Sequence, residues 1–308
     1  MVLVYGTICL DRIHRVPNLP RPGGYVEIAS TELHLGGEAA NTATALAKWK
    51  APTILAGNRL GNDEYTKFVL TQLEVMGLRT DHIQCGDFQT PFCEIYVTPD
   101  GERTMFGSGF AQMPERSDAN ELNSIEFDWI SVDWNLGVTA WRACEIAKNQ
   151  GKKVYVMDLD LSGADHRPID FWQSSTDTFG VRGDEQANLQ FVSEQAGKYH
   201  GIHILTDSRR GIYVSGFGIP SVHIQPFPIE QPIDSTGAGD CFRAGMLYGL
   251  DLGWELADCL SFASAAGGLN ATRVGANSNI PSLDEIRAHI ARFPEIQDAF
   301  RQAIPPMR

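Results

Sequence analysis

The stretch Asp234-Ser235-Thr236-Gly237-Ala238-Gly239-Asp240 decides how this chain is read, together with the Cys241-Phe242-Arg243-Ala244-Gly245-Met246-Leu247-Tyr248-Gly249-Leu250 that follows. Small residues, two of them glycine, stand before an apolar run with helical spacing, and a carboxylate closes the segment where the helix begins. Small residues let a backbone approach a ligand closely. The first turn of a helix has N–H groups without intrahelical partners and carries the positive dipole end, which suits an anion such as phosphate. That anion repels an aspartate, so the acid at position 240 reads as a group that takes a proton from a nucleophile attacking phosphate. An ordinary strand-to-helix turn explains an isolated Gly-x-Gly equally well. Only the full seven-residue string separates the two readings.

Working outward, Gly36-Gly37-Glu38-Ala39-Ala40-Asn41 opens an Ala-rich run that predicts a helix from about Glu38, with Asn41 one turn in. Val2–Tyr5 is a continuous apolar run that reads as a buried parallel strand, and Asp11 follows in what reads as a loop beyond its end. Thr53–Ala56, Trp129–Val132, Val154–Asp158 and His203–Thr206 are further strand-like runs, separated by helical segments such as Val138–Gln150. This alternation predicts a doubly wound, mostly parallel sheet flanked by helices, in a single domain over residues 1–308. Tyr25–Leu35 reads as extended chain, and Phe92–Thr98, Pro99-Asp100-Gly101 and Glu102–Phe106 read as a hairpin.

The seven-residue string resembles the signature Asp-Thr/Ser-x-Gly-Ala-Gly-Asp of the ribokinase-like (PfkB) carbohydrate kinases, and Gly36-Gly37 with Asn41 resembles that family's Gly-Gly-x-x-x-Asn. The resemblance implies an ATP-dependent kinase acting on a hydroxyl of a small sugar. It implies Asp240 as general base, the N–H groups of Gly237, Ala238 and Gly239 as anion hole, and Asp11, Gly37 and Asn41 as sugar ligands. Thr206, Ser208 and Gly211 then hold the nucleotide, and Gly275 and Ala276 flank its adenine. Glu185 orders Mg2+ through water, and Asp234, with the region around Asn279, lies beside a monovalent cation such as K+. The regions of about 12–35 and 91–107 become a small β-sheet lid that also serves as a homodimer contact.

Several positions depart from the family pattern. Arg182 replaces the Asn of Asn-x-x-Glu, Ser208 the first Gly of Thr-x-Gly-x-x-Gly, and Thr66 the last Gly of Gly-x-Asp-x-x-Gly. Asp160 stands where an Asn is frequent. Glu38 admits two readings: a solvated first-turn acid, or a carboxylate that repels an already phosphorylated substrate. His200 and His203 at a strand entry read as structural, because alternation sends them to opposite faces.

A formal net charge of −13 over 308 residues argues against a general nucleic-acid or anionic-membrane binder, while leaving room for a locally positive nucleotide site. Six cysteines without a Cys-x-x-Cys pair suit reduced thiols, and no apolar run approaches a signal peptide or membrane span, so the expectation is a cytoplasmic protein. Two other functions stay open: a nucleoside kinase of the same fold, and a catalytically weak nucleotide- or sugar-sensing binding protein, motivated by Arg182 and Ser208.

Overall fold

All five residues of β1 (Val2–Gly6) are buried, as expected for a strand covered on both faces. The computed structural model describes residues 1–99, 102–162, 169–272, 274–278 and 280–306. After β1 come β2 (Cys9–Arg15), β3 (Ser30–Gly36), α1 (Glu38–Lys48), β4 (Thr53–Gly57), the two-residue β5 (Leu60–Gly61), α2 (Glu64–Val75) and the two-residue β6 (Cys85–Gly86). The middle of the chain holds β7 (Phe92–Val97), β8 (Arg103–Ser108), β9 (Trp129–Asp133), α3 (Val138–Asn149), β10 (Lys153–Met157), β11 (Phe171–Ser175) and α4 (Glu185–Lys198). The last part holds β12 (Ile202–Thr206), β13 (Ile212–Gly216), β14 (Ile219–Ile224), α5 (Ala238–Asp251), α6 (Leu256–Asn270), α7 (Leu283–Arg292) and α8 (Pro294–Ala303).

Eight strands form the main sheet in the order β14-β13-β12-β11-β10-β9-β1-β4. Every pair from β12 to β4 is parallel, while β13 runs antiparallel to both its neighbours. One apolar cluster packs β1, α1, α5 and α6, and a second packs β9, β10 and α3, so helices cover both faces. This is the ribokinase-like doubly wound architecture that the sequence predicts. Leaving the strands at their carboxyl ends, the chain gathers its loops along one edge, where such sheets bind ligands.

A second sheet, in the order β3-β2-β7-β8, forms the small lid of this fold. Its central pair, β2 and β7, is parallel, and the outer pairs are antiparallel. Asp11 is a correction to the sequence reading. It lies inside β2, opposite His34 and Cys93, rather than in a loop after β1. Strands β11, β13 and β14 were not anticipated either. The hairpin joining β7 to β8 is present, but Asp100 and Gly101 of its turn lie outside the described residues.

Thr66, in place of a glycine, has a local role. Its hydroxyl donates to the Gly61 carbonyl at 2.6 Å and lies 2.5 Å from the Thr90 hydroxyl. Asp63 caps α2 by accepting from the Thr66 N–H at 3.0 Å. The side chain thus ties down a turn that glycine would only permit. No disulfide joins the six cysteines, and among the described residues no helix is long and apolar enough to cross a membrane.

Candidate active site

Gly237 caps α5 at φ 73°, in the left-handed region that glycine enters without penalty. A Cβ there would sit 2.6 Å from that of Ala276, so the turn also needs the space. The N–H of Ala238 donates to the Ser235 carbonyl at 3.1 Å, which closes the turn. Of the three expected anion-hole donors, Ala238 is therefore engaged. Among the described residues the N–H groups of Gly237 and Gly239 meet no hydrogen-bond acceptor. The Gly239 carbonyl accepts from Gln173 Nε2 at 3.1 Å, which fixes the turn to the middle of β11.

Asp240, third residue of α5, is 6% exposed. Its Oδ2 accepts from Asn41 Nδ2 at 2.8 Å, and its Oδ1 lies 3.3 Å from Arg243 Nη2. Burial pushes its carboxyl up to about 6, Arg243 and the Asn41 amide hold it down, and the Asp133 and Asp158 carboxylates push it further up. Asn41 in turn accepts from Asn277 Nδ2 at 2.7 Å through its carbonyl. Asn277 also reaches the Leu35 carbonyl at 2.9 Å, so one amide pins helix α1 and strand β3 to the loop after α6.

Asp11 approaches from the lid sheet. Burial is the largest influence on its carboxyl, pushing it up to about 6; the Cys9 thiol holds it down and Asp240 pushes it up. Gly36 makes this possible, because a Cβ on it would lie 2.3 Å from the Asp11 carboxyl. Gly37, at φ 99°, lets the chain pass so close to Thr7 that a Cβ would meet its carbonyl oxygen at 2.3 Å. Gly36→Ala is expected to displace the Asp11 carboxylate and raise the acceptor KM by about 10-fold or more, the loss of one charge-assisted hydrogen bond. The KM for the phosphate donor is expected to stay unchanged in the same steady-state assay. An unchanged acceptor KM would show that Asp11 does not touch the acceptor.

Thr206, Ser208 and Gly211 line one wall of a 580 Å³ cleft whose other wall includes Ala238, Gly239 and Phe242. The structure thus brings together these three expected nucleotide ligands and the start of α5. Ser208 takes φ 52°, the left-handed conformation that glycine adopts freely, so the replacement keeps the backbone path at a local strain. The resemblance implies Gly275 and Ala276 beside the adenine. Neither lines the cleft; both border a separate 110 Å³ cavity beside Asp11. The Gly275 N–H donates to Asp234 Oδ2 at 2.9 Å, and Ala276 abuts Gly237, so the described part of this loop braces the turn.

A family model described as pfkB family carbohydrate kinase matches residues 1–283. The chain belongs to this family. As a pfkB family carbohydrate kinase it is a phosphotransferase with an alcohol group as acceptor. It is 27% identical to an uncharacterized sugar kinase of Dictyostelium discoideum, across 92% of this chain and 96% of the relative. Its fold is similar to that of Arabidopsis thaliana ribokinase, solved with ribose and ATP, at a TM-score of 0.81 and 19% identity over 94% of this chain and 98% of that one. It is also similar to the Burkholderia thailandensis nucleoside kinase solved with inosine, at a TM-score of 0.75 and 19% identity over 96% and 97% of the two chains.

Within this pfkB-family site, several residues were not singled out from the sequence. Arg243 is wholly buried and donates to Thr42 Oγ1 at 2.8 Å and to the Glu38 carbonyl at 2.5 Å, besides facing Asp240. Asp133, at the end of β9, accepts from the Thr7 N–H at 2.6 Å and the Thr7 hydroxyl at 2.9 Å. Asp158, at the end of β10, accepts from the Ser174 hydroxyl. From lid strand β8, Arg103 donates to the hydroxyls of Thr236 and Ser235, and so joins the lid to the anion-hole turn. A strand ending in a polar residue at the carboxyl edge of the sheet was the available clue for Asp133 and Asp158.

Glu185, which the resemblance implies as the residue ordering Mg2+ through water, opens α4 and pairs with His223 Nδ1 of β14 at 3.0 Å. Of the two readings of Glu38, the solvated acid is ruled out, since its Oε2 is buried. Arg182 pairs with Asp177 at the surface, whereas Arg209 lines the cleft. Asp160 accepts from the Ser162 hydroxyl at 2.7 Å and is exposed.

Proposed function

We propose that the chain transfers the γ-phosphate of ATP to a hydroxyl of a small sugar, with Asp240 as general base. The observation that carries this reading is a buried carboxylate at the amino end of α5, held by Asn41 and Arg243 beside the Gly237–Gly239 turn. ATP occupies the 580 Å³ cleft along Thr206, Ser208 and Gly211, with its phosphates at the start of α5. The acceptor lies between Asp11, Gly37, Asn41 and Asp240. Its hydroxyl gives a proton to an Asp240 oxygen while the oxygen attacks the γ-phosphorus in line. One O–P bond forms, the bond to the β,γ-bridging oxygen breaks, and ADP leaves. The unengaged N–H groups of Gly237 and Gly239, with the helix dipole, hold the charge that spreads over the transferring phosphoryl group; the Ala238 N–H contributes only on leaving Ser235. Arg103 ties the lid to this turn, so that closure of the lid excludes water and protects ATP from hydrolysis. Leu33, Met105 and Phe106, exposed on the lid sheet, give it the apolar surface for a homodimer contact.

Mg2+ suits the donor set. No group of three acidic, His or Cys side chains among the described residues forms a ready-made metal cage, and Mg2+ is ordinarily held by substrate phosphates, waters and one or two carboxylates. Glu185, 62% exposed, pairs with His223 through Oε2, and its other oxygen would meet such a water. When bound, the ion neutralises phosphate charge. A monovalent cation at Asp234 fits poorly. The described groups on that carboxylate are donors, namely the Thr236 N–H and hydroxyl and the Gly275 N–H, with Arg103 at 3.8 Å. No step is derived through such an ion.

ADP release measured over a panel of neutral sugars and nucleosides tests the reading. Turnover on a neutral sugar is expected; ATP binding without turnover on any member would favour a binding protein. The pH profile adds a second test. The base must be ionised, so activity falls as pH drops through about 6. Asp11, which the Asp240 charge helps to push up, also loses its proton near 6, so both contribute to the limb. The slope of log kcat/KM is expected to approach two in the wild type and one in Asp11→Asn. A flat profile across this range would remove Asp240 as the base.

A further inference from the structure

We propose that Asn277 is a positioning residue for the phosphoryl transfer, which keeps Asn41 turned with its amide N–H, rather than its carbonyl, toward Asp240. This rests on the kinase reading above and assigns a further residue to it.

An ionised carboxylate only accepts hydrogen bonds, so the group of Asn41 that meets Asp240 Oδ2 at 2.8 Å is its Nδ2. The Asn41 carbonyl then points away from Asp240, and Asn277 Nδ2 donates to it at 2.7 Å. The second hydrogen of the same Nδ2 goes to the Leu35 carbonyl at 2.9 Å. Both partners of Asn277 are carbonyl oxygens, so its own amide has one workable orientation. Reversed, it would set oxygen against oxygen twice. Among the described residues its Oδ1 is buried without a hydrogen-bond partner, which carries a desolvation penalty. The side chain thus serves its two acceptors at the expense of its own carbonyl.

The place of Asn277 gives this contact its reach. It follows Gly275, whose N–H holds Asp234, and Ala276, which abuts Gly237. Leu35 precedes Gly36, the glycine whose missing side chain leaves room for the Asp11 carboxyl. One amide therefore stands where the lid strand β3, helix α1 and the anion-hole turn meet.

The orientation of Asn41 is linked to the proton on Asp240. An N–H facing Asp240 favours the carboxylate, whereas a carbonyl facing it favours the acid, whose O–H can donate. No other described group donates to the Asn41 carbonyl, so without Asn277 the amide is free to turn. The protonated form of Asp240 then gains, and the base ionises only at a higher pH. Other groups bear on Asp240 from every side. Arg243 on its own helix holds the carboxyl down, while Asp133 of β9 and Asp158 of β10 push it up. Glu38 of α1, Asp11 of β2 and the Cys241 thiol lie within its field. The described hydrogen bonds of Asn277 reach none of these, only Asn41 and Leu35.

The test reads the proton on Asp240 directly, as the carboxyl carbon resonance that Asp240→Asn removes from protein isotopically labelled at its aspartates. In the wild type its midpoint is expected at about 6. Asn277→Leu, which fills similar space without donors, is expected to move that midpoint up by about one pH unit, the loss of one charge-assisted hydrogen bond. The acid limb of kcat/KM is expected to move with it, so that activity is about tenfold lower below the limb and recovers well above it, with the ATP KM unchanged. Asn277→Asp has the same shape but offers only acceptors. It draws the Asn41 N–H away from Asp240 and adds a negative charge, so it is expected to move the midpoint further up, and it carries the test if Asn277→Leu unfolds. In an Asn41→Leu background, Asn277→Leu is expected to leave the midpoint where Asn41→Leu alone puts it. A midpoint that neither variant moves overturns the proposal. So does a shift of the same size in the Asn41→Leu background, which would place the effect in the loop rather than in the amide. A midpoint that moves as expected in a protein that phosphorylates no sugar or nucleoside counts against the kinase reading alone. Turnover on a sugar with a midpoint indifferent to position 277 counts against this inference alone.

Discussion

Asp240→Asn is expected to lower kcat by about 10²–10⁴-fold, the usual worth of a positioned general base, with ATP binding and folding retained. The amide is nearly the same size as the carboxylate but cannot accept the acceptor's proton. Its cost to stability is bounded by two opposing effects. Both carboxylate oxygens face donors, Asn41 Nδ2 and Arg243 Nη2, and an amide can satisfy only one of them. That mismatch costs about 1–3 kcal/mol. Removing one charge relieves the repulsion from Asp133 and Asp158, which partly offsets it. Turnover, ATP affinity by calorimetry and a denaturation midpoint separate these effects. A variant that turns over at the wild-type rate would end Asp240's role as base.

Arg243→Met is expected to lose about 3–5 kcal/mol of folding stability, the range seen when one partner of a buried charge pair is removed. The side chain is wholly buried and makes hydrogen bonds to Thr42 and the Glu38 carbonyl. It is also the positive charge that lowers the carboxyl groups of Asp240, Asp133, Asp158 and Glu38. Methionine fills the space without the charge, so the acids remain buried and mutually repelling. The acid limb of the activity profile should also move, and its direction is fixed. Arg243 holds Asp240 down, so without it Asp240 protonates at a higher pH and activity is lost at a higher pH. A denaturant titration and a pH–rate profile of the same variant check both effects. An unchanged midpoint together with an unshifted limb would mean that Arg243 neither supports the fold nor tunes the base.

How much of this could be read from the chain depends on the range of the interactions. The turn at Gly237–Asp240 and the helix from Glu38 are local, and residues a few positions apart announce them. Strand β11 hid because its buried positions Gln173 and Ser174 are polar. They serve Tyr155, Gly239 and Asp158, contacts that no local pattern records. Asp11 was misplaced because β2 is a strand only through its pairing with Ser30–Gly36 and Phe92–Val97. The solvated reading of Glu38 failed because its partner, Trp134, comes from 96 residues away. Arg243 looked like an ordinary polar residue of an amphipathic helix, since the acids it neutralises come from β9, β10 and α1.

That dependence on one distant cation has a consequence in time. Arg243 follows Asp158 by 85 residues. At a synthesis rate of roughly 5–20 residues per second, the ribosome emits Asp158 roughly 4–17 s before its counter-ion exists, and Asp133 earlier still. Until then the emerging sheet carries acids that it cannot bury. The growing chain is expected to delay closing its central strands until the last third of the protein has emerged.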